Sequence, residues 1–111
     1  LTETPAGKLD PGEIPEECGR RELLEEVGAV AGTMTDLGTL LPTPAYVDEV
    51  IHMYLAEHLT YTHQKLDEGE FLEAEAVPLS RLVEEILAGT IRDAKTQAAI
   101  LKTALLLERR K

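Results

Sequence analysis

The sequence predicts an α+β fold, an α/β/α sandwich in which a β-sheet lies between helices. Three observations predict it: a turn-rich loop leads into a helix near the start, apolar runs typical of strands follow, and apolar residues at helical spacing fill the end of the chain. Strands flanked by helices in this order pack as layers. The order of the strands does not follow from periodicity.

The first helix is predicted over residues 15–27. Glu16 and Glu17 stand in its first turn, where negative charge is favourable, and Gly28 is placed to end it. Residues 6–12 are rich in turn-forming residues, which indicates a loop of irregular backbone in front of the helix. Loop and helix therefore form the first unit of the fold.

Three strands are predicted after this helix, at 39–41, 47–56 and 71–77. A Pro-Thr-Pro turn separates the first strand from the second, and Pro78 ends the third. These runs supply the sheet of the predicted sandwich.

Two further helices are predicted towards the C-terminus. Residues 79–87 carry apolar side chains at helical spacing, and Gly89 ends that helix. Asp93 is the predicted cap of the last helix, and the basic residues 109–111 suit its C-terminal end.

Size and composition predict a single domain, residues 1–111, outside the membrane. The chain has 111 residues, and no window approaches the roughly 18 uninterrupted apolar residues of a membrane-spanning helix. The sequence starts at Leu1 without an initiator methionine or an apolar signal core, so we expect the domain to be N-terminally incomplete.

The charge balance makes nucleic acid an unexpected partner. A formal net charge of −10 repels a polyanion. The alternative explanation of the acidic composition is that it serves solubility alone. Cys18 is the single cysteine, so no internal disulfide forms and a reducing cytoplasm is the simplest location. We interpret Cys18 as a small packed helix residue rather than a nucleophile.

The first helix carries clustered carboxylates. At about 100° per residue, Glu22, Glu25 and Glu26 fall within one arc of the helix. Like charges at this spacing repel, so the cluster requires a counter-charge, which Arg20 and Arg21 can supply in part. A solvated acidic face paired with arginine is one interpretation.

The loop in front of the helix favours a second interpretation, a cation site. A glycine-rich turn lets backbone carbonyls approach the ion that helix carboxylates bind. Oxygen ligands favour Mg²⁺ or Mn²⁺, and no cysteine and histidine arrangement suits zinc. We expect His52, His58 and His63 to be solvated or structural.

The spacing of these residues resembles the Nudix box. It reads Gly7, five residues, Glu13, seven residues, then Arg-Glu-Leu-Leu-Glu-Glu-Val-Gly at 21–28. Only the last position departs, where Ala29 replaces a larger aliphatic residue. The resemblance implies the Nudix fold, with a mixed β-sheet between helices.

The resemblance also assigns roles, position by position. It makes Glu22, Glu25 and Glu26 metal ligands, with Glu25 also counted as catalytic. It adds the carbonyl of Ala6 as a ligand. The structural residues of the motif are Gly7, Glu13, Arg21 and Gly28. Lys8 is a candidate phosphate contact, and the alternative is that it is an ordinary exposed lysine of the loop. Glu13 and Arg21 are expected to hold the loop against the helix.

Three segments resemble ADP-ribose pyrophosphatases. Two lie beyond the box, at residues 42–46 with 48–52 and at residues 89–96, and the third, residues 5–8, overlaps its start. Pro44, 15 residues after Ala29, matches a marker proline and is a candidate substrate contact, whereas Ala45 departs from the usual glycine. In this subfamily the general base comes from an acidic loop.

The matching acidic segment here is 66–70, in which we choose Glu68 as the base and Glu70 second, against the alternative of a solvated acidic turn. The expected function is hydrolysis of the diphosphate of ADP-ribose or a related nucleoside diphosphate sugar to AMP and a sugar phosphate, with Mg²⁺ or Mn²⁺. The alternatives are a housecleaning hydrolase of a dinucleoside polyphosphate or damaged triphosphate, and a nucleotide-sensing module without catalysis. The resemblance also implies a homodimer.

Overall fold

A computed structural model describes residues 9, 11–42, 49–62 and 76–111. The elements in chain order are α1 (Pro15–Val27), β1 (Ala29–Leu40), β2 (Ile51–Tyr61), α2 (Leu79–Leu87) and α3 (Ala94–Arg109). Contacts divide the chain into two compact units. One contains α2, α3 and residues 36–40 and 51–55 of the strands, and the other contains α1 and the rest of both strands.

Helix α1 has the predicted bounds because Pro15 favours the start of a helix and Gly28 favours its end. Pro15 occupies the first turn, where its missing N–H is not needed for a hydrogen bond. At the other end Gly28 adopts the left-handed conformation at φ 74°, and its N–H donates to the carbonyl of Leu24 at 3.0 Å. The left-handed conformation at Gly28 ends the helix, and β1 begins at the next residue, Ala29.

Strand β1 is much longer than predicted, since it begins at residue 29 rather than 39. Gly32, Asp36 and Gly38 lie inside it, and these residue types are depleted in strands, which hid the pattern. Gly38 has φ 97°, a conformation that favours glycine, and its N–H donates to the Asp36 side chain at 2.7 Å. The strand prediction at 39–41 was therefore correct in type and wrong in extent.

Strand β2 lies antiparallel to β1 and is also displaced from its predicted position. It runs over residues 51–61, not 47–56; residues 47 and 48 lie outside the described part of the chain. After the strand, the N–H of Thr62 donates to the carbonyl of Gly28 at 2.6 Å, and its hydroxyl donates to the same oxygen at 3.1 Å. This anchors the end of β2 to the C-terminus of α1.

The third predicted strand is not confirmed. Most of it, residues 71–75, lies outside the described part, and Ala76 and Val77 have no strand structure. Pro78, predicted to end that strand, instead directly precedes α2. The sheet of the described residues has two strands.

Helices α2 and α3 are both confirmed, and they pack on each other to close the core of their unit. Ile86, Ile91 and Ile100 are buried in one cluster, against which three half-buried residues pack: Leu79, Leu82 and Val83. The predicted cap is confirmed, because Asp93 accepts from the N–H of Thr96 at 3.0 Å. No helix in the described part is both long and apolar enough to cross a bilayer.

Candidate functional site

The site is organised by the guanidinium of Arg21 on α1. Its Nε and Nη2 groups donate to the two carboxylate oxygens of Glu13 at 2.9 and 3.0 Å, a bidentate pairing across the start of the helix. Glu13 keeps only 13% of its side chain exposed, so this pair is largely shielded from water. The pair thus joins the segment before the helix to the helix itself, and the role of Arg21 and Glu13 in the motif stays a prediction.

The third nitrogen of the same guanidinium contacts two more carboxylates. Nη1 of Arg21 donates to Glu22 at 2.8 Å and to Glu25 at 3.2 Å. Glu22 is 16% exposed and Glu25 is 54% exposed, so the first contact is shielded and the second faces water. Three carboxylates thus accept hydrogen bonds from one guanidinium, two of them from α1 and one from the segment before it.

Cys18 lies beneath this cluster. It is 6% exposed, and its Sγ lies 3.8 Å from Nη2 of Arg21. Burial raises the pKa of the thiol above its usual value of 9.0, and the negative charge of Glu13 raises it further, whereas Arg21 opposes the shift. A protonated, buried thiol is a poor nucleophile, which supports the interpretation of Cys18 as a packing residue.

Arg20 does not join the carboxylates as the sequence suggested. Its Nη1 donates instead to the carbonyl of Ala31 at 2.8 Å, which ties α1 to β1. A cavity of about 280 Å³ lies beside this contact, lined by Arg20, Arg21, Leu24, Val30 and Ala31. Arg20 therefore positions the helix on the strand that follows it.

The donor chemistry of this face fits a hard divalent cation. The groups that it presents are carboxylates, whose oxygens Mg²⁺ and Mn²⁺ prefer as ligands, and two of these carboxylates accept hydrogen bonds from the same nitrogen of Arg21. Glu26 shares the helix face and is half-buried. Within residues 9, 11–42, 49–62 and 76–111 no group of three or more His, Cys, Asp or Glu residues is arranged to hold a metal ion. Glu22 and Glu25 accept hydrogen bonds from Arg21 instead.

The other candidate residues fall outside the described part of the chain: Ala6, Gly7, Lys8, Pro44, Glu68 and Glu70. His63 lies there too, whereas His52 and His58 are exposed on β2. The structure thus brings together Glu13, Arg21, Glu22 and Glu25, and leaves the loop ligand and the general base as predictions.

The NUDIX domain family model matches residues 1–99. The chain belongs to the Nudix family. The box at residues 7–29 lies within the matched span, and its carboxylate helix is α1.

Two of the relatives that the chain matches are pyrophosphatases by name. The chain is 40% identical to an ADP-ribose pyrophosphatase of Bacillus subtilis (strain 168), over 95% of this chain and 60% of the relative. It is 38% identical to a GDP-mannose pyrophosphatase of Salmonella paratyphi B, over 86% of this chain and 51% of that protein. The chain thus spans about half the length of the curated relatives it matches.

A solved structure confirms the predicted fold class. The crystal structure of an ADP compounds hydrolase superposes with a TM-score of 0.79 at 28% identity, covering 92% of this chain and 55% of that one. The described helices and the antiparallel pair of strands belong to this Nudix fold.

Sequence reasoning missed one contact of the site and anticipated another. Nothing in the sequence indicated the bond from Arg20 to Ala31, because residues 29–38 were not recognised as a strand. Arg21 was named as a counter-charge for the carboxylate cluster, and the spacing of four residues places Arg21 and Glu25 on one helix face.

Proposed function

We propose that the protein hydrolyses the diphosphate of ADP-ribose or a related nucleoside diphosphate sugar, giving AMP and a sugar phosphate when ADP-ribose is the substrate. The observation that carries the proposal is the complete set of box carboxylates on α1, with Glu22 and Glu25 converging on one cationic nitrogen. The relatives named for ADP-ribose and GDP-mannose share the nucleoside diphosphate as their common chemistry, which supports this substrate class.

The proposal includes Mg²⁺, or Mn²⁺ in its place, held by Glu22, Glu25, Glu26 and the carbonyl of Ala6. Support comes from the donor set, which consists of hard oxygen ligands. When bound, such cations offset the charge of the diphosphate and make a water more acidic. Without that positive charge, the helix carboxylates would repel the substrate.

The chain's own residues then position and move the reacting groups. The bidentate pair of Arg21 and Glu13 fixes the segment before α1, so that the carboxylates keep their direction. Glu68, with Glu70 second, accepts the proton of the attacking water. The water oxygen bonds to phosphorus while the bond from phosphorus to the bridging oxygen breaks, and the bridging oxygen leaves with the second phosphate.

The substrate contacts are also proposals. Lys8 meets a phosphate oxygen and Pro44 shapes the turn beside the substrate, as the resemblance to ADP-ribose pyrophosphatases implies. We further propose that residues 1–111 are part of one Nudix domain, and that the protein is a cytoplasmic homodimer. Sedimentation equilibrium of the purified protein tests the dimer.

A substrate panel tests the function. The purified protein is incubated with Mg²⁺ and, separately, ADP-ribose, GDP-mannose, a dinucleoside polyphosphate and a nucleoside triphosphate, and products are separated by ion-exchange chromatography. We expect the sugar-linked diphosphates to be cleaved fastest, with AMP released from ADP-ribose, and we expect a chelator to stop the reaction until Mg²⁺ or Mn²⁺ is restored. Faster cleavage of the other two substrates would favour the housecleaning alternative, and nucleotide binding without turnover would favour the sensing module.

A further inference from the structure

We propose that Thr62 is a positioning residue for the proposed hydrolysis, because it fixes the point at which the segment with the proposed base, Glu68, begins relative to helix α1. The inference rests on the proposed function, from which both the base and the metal ligands of α1 are taken. The effect of Thr62 is on the chemical step rather than on the binding of metal or substrate.

The contact of Thr62 with Gly28 joins the end of β2 to the end of α1 through one oxygen atom. The N–H of Thr62 donates to the Gly28 carbonyl at 2.6 Å, and the hydroxyl of Thr62 donates to the same oxygen at 3.1 Å. A carbonyl oxygen has two lone pairs, so both bonds form together. The side chain thus adds a second bond where the backbone alone would make one.

The acceptor of these two bonds is held in place by the helix. Gly28 is buried, and its N–H donates to the carbonyl of Leu24 at 3.0 Å. Its φ of 74° is the left-handed conformation that ends α1. Because Gly28 is fixed to α1, the bonds from Thr62 fix the end of β2 to the same helix, and both residues belong to one compact unit.

This contact lies between the two groups of residues that the proposed reaction requires. Glu25 and Glu26 lie three and two residues before Gly28, in the last turn of α1. Glu68 follows Thr62 by six residues, outside the described part of the chain. Six residues span at most about 20 Å, so the position of Thr62 limits where the base lies. Small displacements of a reacting group lower the rate of the chemical step.

The hydroxyl bond can be removed without unfolding the protein. Thr62 is an exposed residue, so without the Gly28 carbonyl its hydroxyl would bond to water instead. The net contribution of such a bond to stability is small, because a bond to water replaces it. The same small energy limits the effect on the reaction rate to about fivefold.

Thr62→Val tests the role of the hydroxyl, because it keeps the N–H donor and the branched side chain. We expect kcat for ADP-ribose in saturating Mg²⁺ to fall about fivefold, which corresponds to about 1 kcal/mol. KM, and the affinity for Mn²⁺ measured by electron paramagnetic resonance, should stay within about twofold. Thr62→Ser keeps the hydroxyl and should keep kcat within about twofold of the unsubstituted value. An unchanged kcat in Thr62→Val, or an equal loss in Thr62→Ser, would overturn the inference.

Thr60→Val is the matched control, since it makes the same change at an exposed threonine two residues earlier on β2. We expect it to change kcat less than about twofold. Urea denaturation of each variant shows whether the protein in the assay is folded. An equal loss in Thr60→Val would contradict a specific role of Thr62. A raised KM or weaker Mn²⁺ binding in Thr62→Val would contradict an effect on the chemical step.

A double variant tests whether Thr62 acts through the proposed base. In Glu68→Gln the base is absent, so adding Thr62→Val should lower kcat by less than about a further twofold. A further fivefold loss would overturn the inference, because Thr62 would then act independently of Glu68. Intact turnover by Glu68→Gln alone would instead overturn the base assignment of the proposed function, and the inference with it.

Discussion

Gly32→Ala should destabilise the protein, because β1 passes close to β2 at this position. A Cβ on residue 32 would lie 2.9 Å from the Cβ of His58 and 3.0 Å from the His58 carbonyl oxygen. Carbon atoms attract best at about 3.5–4.0 Å, so the strands would have to separate by about half an ångström or more. Overpacking of this kind costs about 1–3 kcal/mol of the free energy of unfolding.

Because of the backbone conformation of His58, the stability effects of substitutions at positions 32 and 58 depend on each other. His58 has φ 56°, in the left-handed region that costs a residue with a side chain about 1 kcal/mol. His58→Gly relieves that strain but adds freedom to the unfolded chain, so alone it should change stability by less than about 0.5 kcal/mol. In the double variant the Cβ contact is gone, and we expect at least half of the Gly32→Ala loss to return.

Urea denaturation of the two single variants, the double variant and the unsubstituted protein measures this coupling. Thr33→Ala, at an exposed position of the same strand, is the control and should change stability by less than about 0.5 kcal/mol. Strictly additive losses in the double variant would refute the close approach of Gly32 and His58. A neutral Gly32→Ala would refute it as well.

Two further predictions concern the cap of α3 and the buried thiol. The hydroxyl and N–H of Thr96 hold the pKa of Asp93 below its usual value of 3.8, so this carboxylate contributes stability that is present above pH 3.8 and is lost as the pH falls below it. Asp93→Asn should remove that contribution to the acid dependence of unfolding, measured by urea titration between pH 5 and about 2, and an unchanged profile would contradict the assignment. Cys18 should react with a thiol reagent at neutral pH only at the rate of unfolding, because burial both shields the thiol and raises its pKa; rapid labelling of the folded protein would show that it is accessible.

The helices could be predicted from the sequence because their ends are marked by residues with one physical role. Pro15 and Gly28 bound α1, and Asp93 caps α3 through its own side chain. Helix α2 follows from apolar spacing alone, and its predicted range equals the observed one. Local chemistry was sufficient in all three cases.

The strands were harder to predict because their conformation depends on the neighbouring strand. Glycine is required at position 32 because β1 comes close to His58 there, and at position 38 because φ is positive. In the sequence, however, both glycines look like interruptions of a strand. The role of Arg20 was missed for the same reason, since its acceptor is a carbonyl on the unrecognised strand. Contacts between elements distant in sequence leave little local signal.

Of the candidate site, the sequence predicted the residues but not their arrangement. The box spacing singled out Glu13, Arg21, Glu22 and Glu25, and the structure places the three carboxylates around the guanidinium of Arg21. The spacing could not show that Arg21 donates both to Glu13 and to the proposed ligands Glu22 and Glu25. The directions of these side chains depend on how the segment with Glu13 packs against α1. The proposed base and loop ligand lie outside the described residues.

The rate of ADP-ribose hydrolysis by Glu26→Gln, compared with Glu17→Gln, tests most directly whether the box carboxylates of α1 carry the reaction. Both substitutions remove one negative charge from the same helix, but Glu17 is an exposed first-turn residue outside the proposed ligand set. We predict that Glu26→Gln lowers kcat/KM by about a hundredfold or more in saturating Mg²⁺, and that Glu17→Gln changes it less than about twofold. Intact turnover by Glu26→Gln, or equal losses in both variants, would contradict the assignment of the metal-binding face.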